Sequence, residues 1–123
     1  MLQVLYTAKV TDLKRIKRKM KIYYLIPNYG NDEIIPDKSD IDHYKNGIIT
    51  WEGFKLNYSQ TIMRAEAMEW MECVAVEAVS EDVVLVDEEN DPEHSYRKLL
   101  AERMKNMFIG RLNLKYMGEL TTR

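Results

Sequence analysis

Cysteine is almost missing from this chain. Cys73 stands alone, so no disulfide can form within it, and a reducing, cytoplasmic setting is the natural expectation. Histidine is nearly as scarce: His43 and His94 lie far from each other and from Cys73, no metal-ligand spacing emerges, and no metal is expected. Glycine (5 residues) and proline (3) are too few for a collagen-like or low-complexity chain. No apolar run approaches the ~20 residues of a membrane span. Thr7, Lys9, Thr11 and Asp12 interrupt what would be the core of a signal peptide. The expectation is a protein without a membrane partner. A glycine-rich phosphate loop is also lacking, because Asn28-Tyr29-Gly30-Asn31-Asp32 is a turn that no helix pattern follows. No cofactor is expected on that ground.

What remains is 123 residues, enough for one α/β-sized domain spanning residues 1–123, with a formal net charge of −2. The charge is unevenly placed. Lys14, Arg15, Lys17, Arg18, Lys19 and Lys21 crowd near the N-terminus, while Glu81, Asp82, Asp87, Glu88, Glu89, Asp91 and Glu93 form an acidic stretch later. Such asymmetry serves partners or self-association in some proteins and is a solvated face in others.

Strand and helix signals alternate along the chain. Residues 2–9 have strand composition and partial alternation. Thr11 or Asp12 can cap a short basic helix with Leu13, Ile16 and Met20 as its stripe, leading to a second strand from Lys21 that Pro27 stops. Strand, basic helix and strand make a βαβ unit with a right-handed crossover. Ser39 can cap a helix over 40–46, and Thr50 a helix carrying Trp51, Phe54, Tyr58 and Ile62 on one face. The stretch Arg64–Val79 is apolar almost all round and is expected to be largely buried, Cys73 included. Val83-Val84-Leu85-Val86 reads as a central parallel strand buried on both faces. Asp91 then caps a helix with Pro92 in its first position, its apolar residues being Leu99, Leu100 and Met107. Leu112, Leu114 and Tyr116 mark a last, half-exposed strand, with fraying expected after Gly118. The pattern predicts a small three-layer α/β sandwich: a mostly parallel sheet of about four strands, with helices on both faces and the 83–86 strand beside the first. The Trp, Tyr and Met residues at helical spacing read as core.

In α/β proteins, ligands sit where strand ends meet helix starts. The junction after Val86 is therefore the candidate site, with Asp87, Glu89, His94, Ser95 and Arg97 as its candidate ligand-binding residues. Arg97 could grip a phosphate or carboxylate in two-pronged fashion, Ser95 could add a hydroxyl, and His94 could take a proton. Against this, the acids around it would repel an anion, and Arg97 could simply pair with Glu89 or Glu93.

The junction resembles the family called domain of unknown function 488. Its members end a buried strand with a cysteine and a glutamate, follow with an Asp-Pro-Glu-like turn, and place Cys-His-Arg at the next helix start. The matching run here is Val84 to Asp87, then Glu89, then Asp91-Pro92-Glu93-His94-Ser95-Tyr96-Arg97 and Leu99-Leu100-Ala101-Glu102. Tyr44-Lys45-Asn46-Gly47-Ile48-Ile49 with Phe54 is similar to the family's middle region. By that resemblance the family's cysteines fall on Asp87 and Ser95 and its histidine on Tyr96, while Glu89 and Arg97 are kept. Thiol chemistry at this site is therefore not expected.

Three functions remain open. The first is a small-ligand domain, nucleotide- or phosphate-binding, whose enzymatic activity the sequence does not decide. The second is a nucleic-acid-associated protein using Lys14, Arg15, Lys17, Arg18, Lys19 and Lys21. The third is a non-catalytic homo-oligomer or interaction module.

Overall fold

The computed structural model describes residues 3–15, 19–109 and 111–120. Four strands, β1 (Gln3–Lys9), β2 (Lys21–Tyr24), β3 (Val83–Asp87) and β4 (Leu114–Glu119), form one sheet in the order β2-β3-β1-β4. Every neighbouring pair is parallel. The helices are α1 (Lys38–Lys45), α2 (Trp51–Thr61), α3 (Ala65–Glu77) and α4 (Tyr96–Met107).

As expected, β3 is central, next to β1, and buried from Val83 to Asp87. Its aliphatic side chains serve two layers by strand alternation. Val83 and Leu85 join the core beneath the α-helices, while Val84 and Val86 pack with Ala8 on the opposite face. The connection from β1 to β2 and that from β3 to β4 run in opposite directions across the sheet. Right-handed crossovers then require opposite faces, and this is the arrangement found. Val10 and Leu13 cover the Ala8 face, and the α-helices cover the other.

The basic helix expected after β1 is a 3-10 turn, Val10–Arg15. The segment between β1 and β2 must carry the chain back to the start of a parallel strand on the far side of β3. A 3-10 turn rises about 2.0 Å per residue against about 1.5 Å in an α-helix, so it covers that path with fewer residues. Ile16, assigned to the stripe of that helix, lies outside the described residues.

Two further expectations are corrected. The helix after Pro92 is split: Asp91 caps only a 3-10 turn, Pro92–His94, and Ser95 caps α4. Ser95 has extended backbone angles (φ −124°, ψ 144°), which interrupt any continuous helix. Helix α3 buries a stripe of Ala67, Met71, Val74 and Ala75 but leaves Met68, Cys73 and Val76 exposed. Its apolar content exceeds what a single supporting face can cover.

Candidate functional site

Alternation along β3 sets Asp87 on the same side as Val83 and Leu85, beneath the start of α4. Arg97 is the second residue of that helix and shares its buried face with Leu100, Ala101 and Met104, spaced three, four and seven residues on. The two side chains therefore meet, both fully buried. Asp87 Oδ2 accepts the backbone N–H of Arg97 at 3.0 Å, Oδ1 accepts that of Glu89 at 2.9 Å, and Nη1 of Arg97 bonds Oδ1. Nη1 also donates to the Glu89 carbonyl at 2.8 Å. The other edge of the guanidinium faces Glu119: Nε donates to Oε1 at 3.1 Å and Nη2 to Oε2.

Burial pushes the Asp87 carboxyl up from its ordinary value, and Arg97 and the two N–H donors only partly offset this. Burial alone would make the Arg97 guanidinium easier to deprotonate. The Glu119 and Asp87 carboxylates outweigh it, so Arg97 is held above its ordinary value and stays cationic. With its donors engaged by two carboxylates and a carbonyl, Arg97 lies in a closed ion cluster and not in a cleft. The expectation that it reaches out to a ligand is corrected. The pairing of Arg97 is with Asp87 and Glu119 rather than with the side chains of Glu89 or Glu93; Glu93 instead pairs with Lys98.

The cleft lies beside this cluster. About 510 Å³ in volume, it opens at the carboxyl ends of β2 and β3, between Pro27 and Asn28 on one strand exit and Glu88, Glu89 and Asn90 on the other. Helix α1 forms one wall, and Trp51, Phe54 and Tyr96 contribute rings. The size falls within the range of small-molecule sites. The rings hold one another: Trp51 stacks on Phe54 with centroids 5.4 Å apart, and Tyr44 lies 5.4 Å from Trp51. Trp51 is delivered by the Thr50 cap, whose hydroxyl accepts the Gly53 N–H at 3.1 Å.

Glu89, His94 and Ser95 all line this cleft, so the junction brings these expected site residues together while Asp87 and Arg97 are withdrawn behind them. Glu89 Oε1 accepts the Asp91 N–H. Ser95 is buried; its hydroxyl donates to the Pro92 carbonyl and accepts the Lys98 N–H at 3.4 Å, as a helix cap. His94 is exposed, with Nδ1 2.6 Å from Asp91 Oδ2 and its ring edge-on to Trp51 at 5.1 Å. That hydrogen bond, and next the Glu93 N–H, hold the Asp91 carboxyl below its usual value. An imidazole oriented in this way by a carboxylate can exchange a proton with a bound molecule.

The phenol of Tyr96 donates to the Leu25 carbonyl, and burial followed by the charges of Asp87 and Glu88 pushes it far up. Tyr44 is raised more mildly, by desolvation and then by Glu89 and Asp91. Sequence reasoning missed the helix-borne part of the cleft, Lys38, Ile41, Asp42, Tyr44 and Lys45. Their only signal was the proximity of residues 38, 41, 42 and 45 on one helical face. Glu119 was missed because fraying was expected there.

With the junction's geometry in view, the comparison with known proteins is direct. Residues 7–104 match the family described as "Domain of unknown function DUF488". The chain belongs to the DUF488 family. No curated protein and no solved structure matches it. At the positions where the resemblance puts the family's cysteines, this DUF488 member has the ion-paired Asp87 and the capping Ser95. Its own Cys73 lies exposed on α3, away from the cleft. Among the described residues, no cluster of His, Cys, Asp and Glu could hold a metal ion. No helix among them is long and apolar enough to cross a membrane. Of the basic run in this DUF488 chain, Lys14, Lys19 and Lys21 are exposed; Lys17 and Arg18 lie outside the described residues, as does the side chain of Arg15.

Proposed function

We propose that this DUF488 member is a small-ligand-binding domain of nucleotide type, with its site in the cleft that the 83–87 strand and the 92–96 turn border. A flat ring enters against Trp51 and Tyr44, and its polar edge meets the groups around Glu89 and His94. The observation that carries this reading is the position of the aromatic cleft: it opens at strand carboxyl ends, where parallel α/β sheets leave a crevice. Arg97 acts as the anchor of the floor behind it, not as a ligand contact.

The two tryptophans make the test clean. Trp51 lines the cleft, whereas the Trp70 indole N–H is held by Asn31 at 3.0 Å. In ¹H–¹⁵N spectra, titration with nucleosides and nucleotides should move the Trp51 indole signal and leave that of Trp70 in place. Loss of nucleotide binding by calorimetry in Trp51→Ala, with the Trp70 indole signal unchanged as a sign that the fold is retained, would support the site. Saturating nucleosides that leave the Trp51 signal unmoved would defeat the proposal.

A further inference from the structure

The cleft is charged differently on its two sides, and this deepens the reading just given by naming the ligand class. Along α1, Lys38 and Lys45 stand at opposite ends of the helix with Asp42 between them, all three lining the cleft. Two turns of helix separate the lysines by about 10 Å; Asp42 neighbours both on that face, and the three together leave this wall one net positive charge. On the other side Glu88 and Glu89 follow the end of β3. Lys38, Lys45 and Glu88 are exposed, and none makes an ion pair among the described residues. Arg97, the one cation built into the strand end, is neutralised within its own cluster. The strand-end wall therefore presents the Glu88 and Glu89 carboxylates, with Asn90 and His94 beside them and no lysine or arginine among its lining residues.

A carboxylate is an acceptor without donors, so this wall suits a ring edge rich in N–H groups. The helix wall suits a phosphate, and the aromatic rings between them suit a flat base. We infer that the cleft takes a nucleoside monophosphate whose base carries N–H donors on its outer edge, as guanine does. The base edge points to Glu88 and Glu89, and the phosphate to Lys38 or Lys45. Uracil, whose edge is dominated by carbonyl oxygens, would face the carboxylates unfavourably.

The inference rests on the cleft being a nucleotide-type site, and the experiment separates the two ideas. Guanosine, uridine, and the 5′-monophosphates of both are titrated against the intact protein, with the Trp51 indole signal as readout. Guanosine should bind at least ~10-fold tighter than uridine, as expected for a two-pronged base contact. The monophosphate should bind several-fold tighter than guanosine at low salt, and the gain should shrink as salt is raised. Glu88→Gln with Glu89→Gln should abolish the base preference; the amide oxygen that replaces the Glu89 carboxylate can still accept the Asp91 N–H, so the turn is preserved. Lys38→Gln with Lys45→Gln should abolish the phosphate gain and leave the base preference intact. Guanosine and uridine binding alike, or a base preference that survives the double glutamine change, would overturn the inference while leaving the binding site standing. If neither nucleoside nor either monophosphate moves the Trp51 signal, the site and the inference both fall.

Discussion

Arg97 and Glu119 meet edge to edge, Nε donating to Oε1 at 3.1 Å beside a second bond from Nη2 to Oε2. One side chain comes from the start of α4 and the other from the last residue of an edge strand. Their contact depends on an irregularity. Leu5 faces Tyr116 across β1 and β4, but Thr7 faces Glu119, so β4 carries one extra residue over that step. Gly118 occupies it with φ +94°. Without the bulge, alternation would turn Glu119 to the other face of the sheet.

Arg97→Met tests what the cluster does. It would leave the fully buried Asp87 carboxylate without its cation, and removal of one partner of a buried pair costs about 3–5 kcal/mol. Glu119→Gln should cost less, about 1–2 kcal/mol, because the Glu119 side chain keeps 23% of its exposure and the glutamine retains an acceptor. Urea denaturation of both variants gives the ranking. A stable Arg97→Met protein would show that Asp87 is satisfied by its two backbone donors alone.

The bulge makes its own prediction. Gly118→Ala forces a left-handed backbone on a residue with a Cβ, costing about 1–2 kcal/mol. If the glycine also aims Glu119 at Arg97, the Gly118→Ala and Glu119→Gln effects should fail to add by at least ~0.5 kcal/mol. Additive effects in a double-mutant cycle would separate the turn from the ion cluster.

These two residues also show where the sequence was legible and where it was not. The β3 run, its central place and its pairing with β1 were readable because an unbroken aliphatic run has few other uses in a small α/β domain. The Thr50 cap and the aromatic face of α2 were equally plain, since a cap and a three-to-four spacing are local facts. Arg97 was left open between a ligand contact and an ion pair, although its spacing from Leu100, Ala101 and Met104 places it on the buried stripe. The apolar residues read from the sequence, Leu99, Leu100 and Met107, left out Ala101 and Met104, which with Leu100 and Arg97 form that stripe. Glu119 was beyond reach, because one bulged residue decides its side and a bulge has no periodicity to reveal it. The cleft depends on how α1 approaches the 88–90 loop, a tertiary fact that neither segment encodes alone.

Cys73 gives a simple check of the corrected α3 orientation. It is exposed on that helix. The native protein should therefore react with a disulfide reagent stoichiometrically, without unfolding. Labelling should leave the denaturation midpoint unchanged. Reaction only after unfolding would return α3 to the buried orientation read from its composition.

Tyr58 tethers the loop after β2 to α2. Its hydroxyl, almost wholly buried, donates to the Ile34 carbonyl at 2.6 Å. Tyr58→Phe keeps the ring and its stacking on Phe54 but leaves that carbonyl unpaired, a loss of about 1–3 kcal/mol. Amide exchange should quicken around residues 31–36, whose 3-10 turn hangs from this bond. Unchanged exchange there, with normal stability, would place the tether elsewhere.

Asp91 supplies a pH signature at the edge of the cleft. Its carboxyl is held below its ordinary value first by the His94 hydrogen bond and then by the Glu93 N–H. A carboxyl with a depressed folded-state pKa binds fewer protons folded than unfolded, so its stabilisation is complete above about pH 4 and is lost as pH falls through the lower, folded value. Asp91→Asn retains a cap oxygen for the Glu93 N–H but carries no charge. The stability difference between wild type and Asp91→Asn should therefore close on acidification below about pH 4. Carboxyl ¹³C titration of Asp91 should report a midpoint below the ordinary one, moving up toward it in His94→Ala. An ordinary midpoint in the wild-type protein would mean that His94 swings free of Asp91 in solution, and the imidazole at the cleft would then lack its orienting carboxylate.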